Sequence, residues 1–287
     1  MLAILIMLIS IFIGQIEGIL VKKYNMKHHA GGFIFIGLVS LFSAVFFVII
    51  DNDGLCFPPG IWMYGITSGI MYCVASILTF VALGCGPYAL SMIILSYSLV
   101  FSIGYGLIFL DEPANVFTYF GIFTILASMY LTRPEKGTQE SKTTAVWFVS
   151  VILSVICSGM FGVIKKMQQL HFDNAYNNEY MLITVVFSAI VLIGVGIVKD
   201  RKRLPYIMKY GSIYAFGAGL SNGALNLLGM VVNNLLPISI GTPLSSGMKI
   251  VVVFLISKVV FKEQFLKRQL VGVLLSVVAM MVINLKT

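Results

Sequence analysis

Long apolar stretches separated by short polar breaks run through the whole chain, and that pattern confines it to a lipid bilayer. The stretches are Leu2–Val21, Gly31–Ile50, Ile61–Leu83, Tyr88–Leu110, Asn115–Leu131, Thr144–Ile164, Tyr180–Val198, Tyr210–Val232, Ile238–Phe261 and Gln269–Leu285. A helix of about 20 such residues crosses a hydrocarbon core of about 30 Å. Open strand edges would leave backbone groups unpaired in lipid, so the crossings must be helical. The breaks hold the turn formers, among them Pro58-Pro59, Gly86-Pro87, Pro113, Pro205 and Pro237. Only 10% of residues are charged, against about 25% in soluble domains. The expected fold is therefore all-α and integral to the membrane, with ten transmembrane helices.

The longest polar stretch divides the chain into residues 1–132, a linker at 133–143, and residues 144–287. The two halves resemble each other. Asp111-Glu112 between the fourth and fifth runs answers Lys262-Glu263 between the ninth and tenth, and Gly121 and Gly272 each follow nine residues after the glutamate. Pro87 matches Pro237, while Tyr64 and Gly69 match Tyr214 and Gly219 at the same offset. Gly18 then Lys22 matches Gly162 then Lys166. Five spans per half would make the second half run antiparallel to the first. That is the inverted-repeat plan of secondary transporters, with one integrated domain and a site near the midplane. A monomer suffices for it, because one chain carries both repeats.

Phe109-Leu110-Asp111-Glu112-Pro113 and Phe261-Lys262-Glu263-Gln264, each followed by a glycine-bearing apolar helix, resemble motifs of the drug/metabolite transporter superfamily. The likeness is to its ten-helix EamA-like members and covers essentially the whole chain. Trp62 to Leu131 is also similar to the last three helices of the small multidrug resistance family. The resemblance implies a central cavity surrounded by the first, third, fourth, sixth, eighth and ninth helices, with the fifth and tenth at the periphery. It does not specify a substrate: amino acids, sugars, nucleotide derivatives, quaternary amines and drugs all occur in the superfamily.

Most of the 19 Lys and Arg residues lie in loops after odd-numbered runs, against Lys165, Lys166 and Lys286 in the opposite set. The positive-inside rule then places both termini outside a plasma membrane. The same clustering accounts for the net charge of +8 without nucleic acid as a partner.

Lys249 lies halfway along its run, about 16 to 18 Å from either end at roughly 1.5 Å per residue. An ionised side chain at that depth costs about 3 kcal/mol on insertion scales and marks a functional site by default. Thr242, Ser245 and Ser246 share its helical face. Glu17 is the acidic residue set within a span, about one turn from the end of the first run, beside the close-packing pair Gly14/Gly18. Three roles compete for it: neutralising Lys249, carrying a coupling proton, and binding an amine. A carboxylate near a helix end with no role in binding is the fourth alternative. Asn222 and Asn226 stand one turn apart, and a buried amide has four hydrogen-bonding positions to satisfy. Tyr72, Ser76, Tyr97 and Ser98 complete the candidate substrate-binding set, although lone hydroxyls more often bond their own or a neighbouring helix. Lys22, Lys23 and Lys166 read as helix-end anchors, and His28-His29 as a loop pair without a third metal ligand.

No HExxH or Walker A sequence is present, so an enzyme is not expected, and neither is a cofactor. The expected activity is alternating-access transport of a small polar metabolite, with an amino-acid-like zwitterion or organic anion favoured. Export of cationic drugs through Glu17 and flipping of a lipid carrier are the alternatives.

Overall fold

The computed structural model describes residues 2–28, 31–51, 54–110, 116–132, 145–262 and 267–283. Asp111, Glu112, Pro113, Glu263, Gln264, His29 and the 133–143 linker lie outside them. The described residues are all-helical, with no strand. They form α1 (Leu2–His28), α2 (Gly32–Ile50), α3 (Ile61–Cys85), α4 (Tyr88–Leu95), α5 (Leu99–Phe109), α6 (Val116–Thr132) and α7 (Ala145–His171). These are followed by α8 (Asn177–Asp200), α9 (Leu204–Tyr210), α10 (Ser212–Leu235), α11 (Ile238–Val260) and α12 (Lys267–Ile283).

Where its residues are described, every apolar run falls mainly on helix. Among the described residues, seven helical segments, Ala3–His28, Gly32–Ile50, Ile61–Cys85, Ser91–Phe109, Ala145–His171, Asn177–Lys199 and Ser212–Leu235, are long and apolar enough to cross a membrane. The fourth run is interrupted: a 3-10 turn at Ser96–Ser98 separates α4 from α5. Ser91 donates to the Pro87 carbonyl at 2.9 Å and Ser96 to the Met92 carbonyl at 2.9 Å. Such back-bonding bends helices. At the other irregular joint, a Cβ on Gly211 would come 2.7 Å from the Ile207 carbonyl and 3.1 Å from Tyr24, so only glycine lets α10 turn there.

Two helices are longer than their apolar runs. α1 continues past Val21 to His28, and α7 past Ile164 to His171. Their added turns carry Lys22, Asn25, Lys165, Lys166, Gln168 and Gln169, all buried. These polar side chains find partners on neighbouring elements, Gln168 in the turn after α7 and Asn25, Lys165, Lys166 and Gln169 on other helices, so the helices extend beyond the point where hydrophobicity stops. Glu17 consequently lies about three turns before the end of its helix, not one. Lys22 and Lys166 are buried side chains rather than exposed end anchors, and His28 closes α1 rather than lying in a loop.

The packing is pairwise. α1 lies on α10, α3 on α7, α2 on α8, and α6 on α12, with further contacts of α10 on α2 and α3 on α8. Glycines set the closest approaches. A Cβ at Gly37 of α2 would lie 3.0 Å from the Ile193 backbone nitrogen, and one at Gly196 of α8 would lie 3.0 Å from the Ile34 nitrogen. These contacts are reciprocal, as across a two-fold axis. Gly14 and Gly18 behave differently from a single close-packing face: Gly14 meets Leu225 of α10, whereas Gly18 meets Tyr88 of α4.

Candidate functional site

A cavity of ≈ 380 Å³ lies between the helices. Its wall takes residues from α1, α2, α3, α4, the 3-10 turn, α7, α10 and α11; among the described residues α6 and α12 contribute none. Eight of the ten residues expected from the sequence line it: Glu17, Tyr72, Ser76, Ser98, Asn222, Asn226, Ser245 and Lys249. Ser246 and Tyr97 do not. Ser246 is buried one position, or about 100° of helix, away from Ser245. Tyr97 packs against the main hydrophobic core.

The polar groups are ordered by one amide. Asn222 donates from Nδ2 to both carboxylate oxygens of Glu17, at 3.1 and 3.0 Å. Its Oδ1 accepts from Tyr72 Oη at 2.8 Å, from Ser43 at 3.2 Å and from Asn226 Nδ2 at 3.3 Å. Asn226 Nδ2 also donates to the Asn222 carbonyl at 3.1 Å. Every donor thus points one way, from Tyr72 through Asn222 to Glu17, which fixes the amide's orientation. Ser221 bonds the Ile13 carbonyl and ties α10 to α1 at the same level. Close to this network, Tyr88 donates to Gln15 Oε1 at 2.8 Å and joins α4 to α1.

Lys249 differs from the rest. It lines the cavity and attracts Glu17 electrostatically, yet among the described residues it makes no hydrogen bond and no ion pair within 4.0 Å. A cation in the wall of a membrane-embedded cavity without a fixed partner is matched to something that comes and goes, namely water or an anionic group. Glu17, by contrast, is held by a neutral amide and not by a lysine.

Hydropathy missed Lys165. It is buried in α7 and donates from Nζ to the Asn226 carbonyl at 3.1 Å. The spacing of Lys165 and Gln169, at i and i+4, puts both on one face, and that face meets α10, while Gln168 donates to the Ala175 carbonyl in the turn after α7 at 3.0 Å. Gln169 donates to the Met230 carbonyl at 3.2 Å and to Asn234 Oδ1 at 2.8 Å. Lys166 reaches the Asn233 carbonyl at 3.3 Å. At the opposite end of the bundle, Asn25 of α1 donates to the Phe80 carbonyl of α3 at 3.0 Å.

No family model matches the chain. No curated protein matches it either. A solved structure described only as "Crystal structure of protein" is similar to it, with a TM-score of 0.69 at 14% identity, covering 96% of this chain and 96% of its own. At that identity the likeness shows the fold alone, over nearly the full length of the chain.

Proposed function

We propose that the chain is a ten-span secondary transporter of the drug/metabolite transporter type, moving a small anionic or zwitterionic metabolite by alternating access. The observation that carries this reading is the cavity wall that holds Lys249 without a fixed partner beside Glu17 clamped by Asn222. A solute with a carboxylate and an ammonium group engages both. Asn226, Ser245, Ser76 and Ser98 supply hydrogen bonds to its remaining polar atoms, and Tyr72 holds the amide network in place.

The inverted-repeat plan is supported by contacts that recur when the first half is laid on the second. Asn25 aligns with Gln169 at the offset that relates Lys22 to Lys166, and Phe80 aligns with Met230 at the offset that relates Pro87 to Pro237. Both pairs are amide-to-carbonyl hydrogen bonds. The reciprocal contact of Gly37 and Gly196 falls where a two-fold between α2 and α8 would pass. The interrupted α4–α5 helix adds the broken backbone common at transporter sites. Two repeats that rock about the α2–α8 contact would open the cavity to each side in turn.

Solute counterflow into proteoliposomes tests the reading, with a panel of amino acids, organic anions, sugars, nucleosides and quaternary amines on wild type and Lys249→Ala. Counterflow of a carboxylate-bearing solute that disappears in the variant is the expected result. Flux confined to cations, or unchanged in the variant, would overturn it.

A further inference from the structure

Lys165 has no carboxylate partner among the described residues. Its side chain is 7% exposed, and its ammonium finds one hydrogen-bond acceptor among the described residues, the Asn226 carbonyl at 3.1 Å. Phe161 lies beneath it, 5.9 Å from the ring centre, which is within cation–π range. Asn226 and Phe161 are both cavity-wall residues, and so is Gly229. A Cβ added at Gly229 would lie 3.6 Å from Lys165 Nζ. The missing side chain at 229 leaves a window between that nitrogen and the cavity. Two of its three N–H groups have no acceptor among the described residues.

A buried ammonium is costly unless an anion or several acceptors compensate it. One carbonyl and a ring face do so in part, and an entering carboxylate would complete the set. The cavity then offers two cations, Lys249 and Lys165, against one carboxylate, Glu17, which Asn222 already holds in place.

We propose that Lys165 is a second anion-binding group of the site and that the preferred substrate class is an amino dicarboxylate, with two carboxylates and one ammonium. Its three charges match Lys249 and Glu17 in the wall, and Lys165 behind the Gly229 window, with opposite signs. This inference rests on the transport reading and narrows it from zwitterions in general to acidic ones. Lys165 is the specificity-determining residue, because Lys249 and Glu17 alone suffice for a neutral zwitterion.

The test measures binding and counterflow of four probes, L-glutamate, L-aspartate and their amides L-glutamine and L-asparagine. The proteins are wild type, Lys165→Gln, Lys165→Arg and Lys249→Ala, each checked for monodispersity in detergent. Wild type should prefer acid over amide by roughly tenfold or more, the worth of one charge-assisted pair. Lys165→Gln should bring acid and amide to parity, and Lys165→Arg should retain the preference. Lys249→Ala should lose all four probes. Equal binding of acid and amide by wild type, or a preference that survives in Lys165→Gln, overturns the role of Lys165 and leaves the transport reading standing. Wild type that binds none of the four, while moving other solutes of the wider panel, overturns the substrate class alone. Counterflow at leak level across that whole panel overturns both.

Discussion

Asn222 spans the gap between α10 and α1 and places its side-chain N–H groups on both carboxylate oxygens of Glu17, 205 residues earlier in the chain. The same amide's oxygen is claimed by Tyr72, Ser43 and Asn226, so it cannot turn over without breaking several bonds at once. α1, α2, α3 and α10 are therefore tied together at the level of the cavity by a single side chain.

Replacing Asn222 with Ala should release that knot. The carboxylate and the Tyr72 hydroxyl would both lose a buried partner, and each such loss costs about 1–3 kcal/mol. A lower thermal unfolding midpoint in detergent is expected, together with loss of counterflow. Asn222→Asp, which sets a second carboxylate against Glu17, should be worse than Ala in both measurements. An Asn222→Ala protein as stable as wild type would mean that the amide does not bind the helices together.

Lys249 calls for the opposite outcome in stability. With no hydrogen bond or close ion pair to lose among the described residues, its removal relieves a half-buried charge at membrane depth that costs about 3 kcal/mol on insertion scales, against only a longer-range attraction to Glu17. Lys249→Leu should therefore unfold at a higher temperature than wild type, by no more than about that free energy, while transport of anionic and zwitterionic solutes falls to leak. Stability gained where function is lost is the mark of a residue kept for its chemistry. A destabilised Lys249→Leu would instead make the lysine structural.

How far the site can be read from sequence depends on whether the signal is local. Hydropathy finds each long apolar run, because in lipid a crossing must satisfy its backbone within helix, but it shows neither the break between α4 and α5 nor the short helix α9. The lone midplane Lys249 stands out for the same reason. Hydropathy fails where polar side chains are buried against other polar groups. α1 is cut short at Val21 because Lys22 and Asn25 look like a helix end, and this puts Glu17 too near the surface by two turns. Lys165 is assigned to a loop for the same reason. The pairing of Glu17 with Asn222 leaves no trace in sequence, because it depends on the rotation of α1 against α10. Ser246 and Tyr97 fail on that phase as well: each lies one residue from a lining position, Ser245 and Ser98.

The glycines offer a prediction about packing alone. A Cβ at Gly219 would meet the Val39 carbonyl at 2.6 Å and the Ser43 nitrogen at 3.0 Å, both backbone atoms of α2 that cannot rotate away. Gly219→Ala must push α10 off α2, an overpacking that costs about 1–3 kcal/mol. At Gly104 of α5 an added Cβ meets nothing within 4 Å, so Gly104→Ala gains helix propensity of about 1 kcal/mol. Thermal melts of the two variants should move in opposite directions. A fall for both would place an unseen neighbour against α5.

The two amide-to-carbonyl bonds at opposite ends should act as opposing latches. Asn25 closes α1 on α3 next to Leu83, and Gln169 closes α7 on α10 at the end where Ser10 lies with Met7 and Val232. Leu83 and Ser10 both line the cavity and both are buried. In a background without the four native cysteines, a single cysteine at either position reports opening at its own end through its rate of alkylation. Removing the Asn25 amide with Asn25→Ala should speed reaction at Leu83→Cys and slow it at Ser10→Cys, because favouring one opening depletes the other. Gln169→Ala should do the reverse. Gln169 also bonds Asn234, whereas the matching partner position for Asn25 is Gly84, whose Cβ would lie 3.2 Å from Asn25 Oδ1. The Gln169 latch therefore has one hydrogen bond more, a difference of about 1 kcal/mol. The wild-type protein should open more readily at the Asn25 end, with Leu83→Cys reacting faster than Ser10→Cys. If each latch variant speeds both cysteines alike, the bundle is loosening as a whole and the two ends are not alternating gates.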